Sequence, residues 1–120
     1  MRIDNLDDVE PFTTMDGSQI RELAGRAIGT TLNQSLAEAT VPAGGETVEH
    51  YHREAEELYF FTHGRGRMRL AKVECEVKPG DVVVIAPGMR HKLWAGPEEP
   101  LRLLCCCAPA YSHEDTFLCE

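Results

Sequence analysis

Residues 49–64, EHYHREAEELYFFTHG, place two histidines around a tyrosine and follow them with acids, aromatics and a glycine. Side chains two apart on a strand share a face, so His50 and His52 present two imidazoles to one point while Tyr51 faces the other way. With REAE (53–56) as the turn, Glu57 is expected to begin the neighbouring antiparallel strand, where its carboxylate joins the histidines. Tyr59 and Phe61 share its parity and are expected to line the same cavity. Leu58 and Phe60 point away and require cover from a second sheet or a second subunit. His63 lies six residues along the strand from Glu57, about 20 Å away, at the other end of the barrel.

The candidate for a third imidazole is His91, which follows the APGM turn in APGMRHKLW and must arrive from elsewhere in the fold. Three neutral imidazoles and one carboxylate suit Fe, Mn, Ni, Cu or Zn at ligand distances of roughly 2.0 to 2.2 Å, whereas Ca and Mg prefer shells of oxygen. One divalent transition metal per chain is the expected cofactor.

Outward from this stretch the same β signal recurs. SLAEATV, TVEHYH, ELYFFT, RMRLA, VECEV, DVVVIA, HKLWA and LRLLCCC are short β-type runs separated by Gly, Pro or charged turns, and eight such runs suit an all-β jelly-roll barrel. In GRMRL, Arg67 and Arg69 oppose Met68 and Leu70. In VECEV, Val73, Cys75 and Val77 oppose Glu74 and Glu76, so each run predicts one wet face. VVVIA is apolar on both faces, as in a central strand or one at a subunit interface. QIRELAGRAIG, after the TTMDGS turn, fits a short helix or a strand, and a swapped strand is a further option. The tail APAYSHEDTFLCE has no period and reads as an extended cap or a loose end.

A chain of 120 residues fits one domain with a real core. We divide it into a barrel core at about 33–108, an N-terminal arm at 1–32 and a C-terminal tail at 109–120. A net charge of -8 argues against a nucleic-acid surface, which needs clustered Lys and Arg. No apolar leader and no run of about 18 apolar residues is present, so no membrane association and a cytoplasmic location are expected. Five cysteines, three of them adjacent at 105–107, do not form a secreted disulfide framework and are expected to be reduced. Neighbours on a strand face opposite ways, so Cys106 cannot share a metal with Cys105 and Cys107. They read as small buried apolar residues, one of which faces the metal cavity. Arg65, Arg67 and Arg69 read as a solvated stripe paired with Glu74 and Glu76, and His113 as a surface or lid residue.

These residues resemble the cupin superfamily. Its first motif (Gly, five residues, His-x-His, three or four residues, Glu, six residues, Gly) is met by Gly44, His50, His52, Glu57 and Gly64. Its second motif is met at Gly80, Gly88 and His91, with Ala86 in place of a Pro and Ala95 in place of an Asn. The resemblance spans about residues 33–108. It implies a single-domain cupin barrel, with His50, His52, Glu57 and His91 as metal ligands and a homodimer as the assembly.

Four protein ligands on an octahedral ion leave two positions open, which supports oxygenase chemistry on a small organic substrate with O₂. Glu57 and Tyr59 are the candidate catalytic groups, and Phe61, Met68, Leu70, Met89 and Leu93 the candidate apolar pocket lining. Two alternatives use the same site. One is Lewis-acid isomerisation or elimination on a sugar or hydroxy acid, with Glu57 or Tyr59 moving the proton. The other is a non-catalytic module that binds a small metabolite.

Overall fold

Along Glu56–His63 exposed and buried side chains alternate, with Glu57, Tyr59 and Phe61 inward and Glu56, Leu58 and Phe60 outward. In a computed structural model, which describes residues 1–120, this period-two pattern builds an all-β chain. The strands are β1 (Phe12–Thr13), β2 (Gln19–Ala24), β3 (Ser35–Val41), β4 (His50–His52), β5 (Glu56–His63), β6 (Gly66–Leu70), β7 (Val73–Val77), β8 (Val82–Ile85), β9 (His91–Ala95), β10 (Leu101–Ala108) and β11 (Thr116–Leu118). They form two antiparallel sheets in the orders β1-β2-β3-β10-β5-β8 and β11-β4-β9-β6-β7. The result is a single-domain jelly-roll barrel. Phe61, Met68, Ile85, Leu101, Leu103 and Val41 are fully buried between the sheets, and each such side chain contributes roughly 1.5 to 3 kcal/mol of burial.

Each of the eight β-type runs contains a strand, and both ends of the chain extend the sheets beyond 33–108. QIRELA is a strand, β2, paired with this chain's own β3. The only helix in the N-terminal arm is a 3-10 turn at Leu6–Asp8. The tail is not a loose end, because Thr116–Leu118 pairs with His50–His52, although 109–112 and 119–120 lack regular structure. Period could not reveal a three-residue strand that lacks an apolar alternation.

Two strands differ from the reading of their sequence. β8, the VVVI run, is an edge strand of the six-stranded sheet rather than a central one, and Val82 and Val84 are each 59% exposed. They lie opposite Phe60 and Leu58, so the outer face of this sheet carries an uncovered apolar patch. β7 is the edge of the other sheet, and Val73 and Cys75 are exposed there although their parity with buried Val77 predicted an inner face. In the arginine stripe, Arg67 and Arg69 pair with Glu74 and pack over Trp94, while Arg69 also meets Glu49. Glu76 makes no ion pair.

The turn after β5 has a fixed steric requirement. Gly64 has φ +78°, and a Cβ there would stand 2.2 Å from the carbonyl oxygen of Pro100. No other residue type fits this turn without displacing backbone.

Candidate metal centre

Strand β4 directs His50 and His52 to the barrel interior, and β9 starts with His91 directly opposite His50 in register. The His50 and His91 rings lie 4.3 Å apart, and His52 is 5.3 Å from His50 and 5.6 Å from His91. One ligand nitrogen from each ring falls within 4.8 Å of the other two. Glu57 does not reach them as a hairpin neighbour, as the EHYHREAEE spacing suggested. β4 and β5 belong to different sheets, and Glu57 meets the histidines across the barrel interior. Its Oε1 is 3.2 Å from His52 Nε2 and 3.3 Å from His91 Nε2.

Proton accounting shows what this cluster lacks. His50 Nδ1–H donates to the Val48 carbonyl and His91 Nδ1–H to the Met89 carbonyl, both at 2.9 Å. Thr116 spends its hydroxyl proton on the Ser112 carbonyl, so it accepts from His52 Nδ1–H. A neutral imidazole has one N–H, and each ring has used it. All three Nε2 atoms therefore present lone pairs, and Glu57 Oε1 is a fourth acceptor. His52 Nε2, His91 Nε2 and Glu57 Oε1 are buried with no aligned hydrogen-bond partner. Unpartnered buried acceptors are costly unless a cation sits among them. The donor set fits a transition-metal ion, and the outer hydrogen bonds orient each ring for one.

Electrostatics agree with this accounting. Burial, reinforced by neighbouring His91, holds the His50 imidazole below its ordinary pKa and so keeps it neutral. Burial and the nearby Glu57 charge raise the Tyr59 hydroxyl, which stays protonated.

The cluster opens into a cavity of about 700 Å³ between the sheets. Of its 30 lining residues 13 are hydrophobic, so polar and apolar groups share its wall. Of the expected lining, Leu93 faces it, as does the candidate catalytic Tyr59. Phe61 and Met68 belong instead to the solid core, and Leu70 and Met89 pack against that core from its edge. Inward parity selects the barrel interior but does not distinguish its packed end from its open end.

The mouth is built by segments outside the two motifs. In the TTMDGS turn, Asp16 Oδ1 accepts from Ser18 N and Ser18 Oγ, leaving Oδ2 3.9 Å from His50 Nε2. Across the mouth, Tyr111 bonds His113 Nδ1 at 3.0 Å and packs edge-on to His52. His113 thus lies at the rim and outside the histidine cluster. Asp16 was hidden because the D-G-S sequence is fully explained as a turn. Tyr111 and Thr116 were hidden because nothing in the tail's pattern links it to the EHYH strand.

Comparison with known proteins agrees with this architecture. The family described as Cupin domain matches residues 37–107. Over 114 residues the chain is 46% identical to an uncharacterized protein of Methanocaldococcus jannaschii, covering 95% of this chain and 91% of that one. A Streptomyces protein described as a nucleoside dehydratase superposes with a TM-score of 0.81 at 14% identity, covering 100% of this chain and 92% of its own. The polyketide cyclase RemF of Streptomyces resistomycificus superposes with a TM-score of 0.79 at 23% identity, covering 96% and 89%. At these identities the two structures speak for the fold. With a matching domain over 71 residues (37 to 107) and two sheets closing on a histidine cluster, the chain belongs to the cupin family.

Proposed function

We propose that this cupin is a metal-dependent enzyme that moves a proton on a small, polar, hydroxyl-bearing substrate, in an elimination or isomerisation. His50, His52, Glu57 and His91 hold one divalent transition metal. The observation that carries the reading is the convergence of three buried imidazoles, with Glu57 Oε1 beside two of them, at a cavity of mixed polarity. A divalent ion bound there supplies Lewis acidity toward a substrate carbonyl or hydroxyl oxygen.

The chain's own groups divide the remaining work. Asp16 Oδ2 has no hydrogen bond to the protein and lies at the cavity, where it accepts a proton from substrate. Tyr59, kept protonated by burial, donates a hydrogen bond from the cavity wall. Leu93, Leu103 and Val41 close the cavity floor and exclude water from it. The names of the dehydratase and the cyclase among the structural relatives accord with this class of reaction.

The second reading is an oxygenase. It is favoured by the donor set, since three neutral imidazoles and one carboxylate suit Fe(II) as well as Zn(II). Protein purified anaerobically, assayed for metal and incubated with hydroxy acids, sugars and nucleosides under nitrogen and under air separates the two. Conversion under both gases is the expected result. Conversion only in air, with O₂ uptake, transfers the assignment to the oxygenase. Tight ligand binding without turnover makes the protein a binding module, and a chain that takes up no ion sinks both enzyme readings.

A homodimer formed through the outer face of the six-stranded sheet belongs to the same proposal, because Leu58, Phe60, Val82 and Val84 lie exposed there. Phe60→Glu introduces a charge at the centre of this patch. The variant is expected to sediment as a monomer where the natural chain sediments as a dimer, and an unchanged mass rules out this interface.

A further inference from the structure

Strand β10 turns Cys105 and Cys107 toward the cavity and Cys106 toward the opposite face. Cys107 sits between Ser35 of β3 and Glu57 of β5, its two cross-strand partners in register. Its Sγ donates to Glu57 Oε2 at 3.1 Å, between side chains of residues only 2% and 4% exposed. The two oxygens of Glu57 thus have separate surroundings. Oε1 faces the imidazole nitrogens of His52 and His91 with no hydrogen bond of its own, and Oε2 is taken by the thiol.

We propose that Cys107 is a positioning residue for the metal centre. Its S–H locks the rotation of the Glu57 carboxylate so that Oε1 alone joins the three imidazoles, and it holds Glu57 in place instead of leaving it free to shuttle protons. The inference rests on the metal reading above and adds to it a residue outside both motifs. A thiol is a weak donor, but at this buried carboxylate it is the one side-chain hydrogen bond Glu57 makes with correct alignment. The sulfur itself is not a ligand in this scheme. It meets Oε2, and the group of ligand atoms that converge within 4.8 Å consists of the three histidines.

Two variants of equal shape test the role. Cys107→Val removes the donor and Cys107→Thr retains one. Each is purified metal-free, titrated calorimetrically with Zn²⁺, and loaded with Co²⁺ to record its visible absorption bands. Cys107→Val is expected to bind Zn²⁺ about 10- to 100-fold more weakly than the natural chain, the usual cost of losing a group that orients a ligand. Cys107→Thr is expected to recover most of that affinity and to show the Co²⁺ bands of the natural chain, while those of Cys107→Val shift. A packing role alone would change both variants alike and leave the bands in place. Should Cys107→Val fail to fold, Cys107→Ala and Cys107→Ser repeat the comparison. Zn²⁺ affinity in the donor-free variant within about twofold of the natural chain, with identical bands, overturns the inference and leaves the metal reading standing. Failure of the natural chain to bind either ion overturns the metal reading first and this inference with it.

Discussion

His91→Ala is expected to lose its metal: bound ion falls from near one per chain to less than about a tenth of that, in protein made without a histidine tag. Loss of a group that merely orients a ligand costs about 10- to 100-fold in affinity, and loss of a ligand itself exceeds that range. The effect has a thermal signature. An ion that binds only the folded chain stabilises it by about 2.7 kcal/mol at a hundredfold excess over its Kd, so the natural chain melts higher with metal than without. In His91→Ala this increment disappears. The folded state is expected to survive, because removing one of four mutually facing acceptors relieves Glu57 Oε1 of an unpaired neighbour 3.3 Å away. Retention of both the ion and the thermal increment would exclude His91 from the site.

Gly64→Ala should be the most damaging single-methyl change in the barrel, at about 3 kcal/mol or more. Two costs combine: a left-handed φ of +78° and a Cβ 2.2 Å from the Pro100 carbonyl oxygen. The oxygen belongs to backbone leading into β10, the strand that pairs with both β3 and β5, so it cannot yield without disturbing two strand pairings. Gly80 offers the control. Its φ of +93° is comparable, but nothing lies within 4 Å of an added Cβ, so Gly80→Ala isolates the backbone term. Chemical denaturation of the pair should place Gly64→Ala well below Gly80→Ala, and equal midpoints would deny the steric account.

What could be read in advance followed from how far each interaction extends along the chain. The parity of EHYH and the spacing to Glu57 are local, and they survive whatever sheet each strand joins. For that reason His50, His52 and His91 converge, and Glu57 Oε1 lies beside His52 and His91, even though β4 and β5 form no hairpin. The two apolar faces of VVVI fit a central strand or a subunit interface, and the strand lies at an edge with Val82 and Val84 bare, which leaves the interface reading. Cys107 was read as a small apolar residue, since a thiol's partner 50 positions away leaves no mark on its neighbours. Asp16 and Tyr111 were missed for the same reason. Each is specified by contacts that close only in three dimensions.

The short pairing of Thr116–Leu118 with His50–His52 has a bearing on biosynthesis. The ring of His52 takes its orientation from the Thr116 hydroxyl, 64 positions further along the chain. A nascent polypeptide therefore carries both motifs of the cupin family, with His50, His52 and His91, before it can hold the His52 ring in its final attitude. Until translation has passed Leu118 and that segment has folded back, any ion captured would meet a partly assembled cage. A metal held by this site would meet its complete cage only after the tail is made.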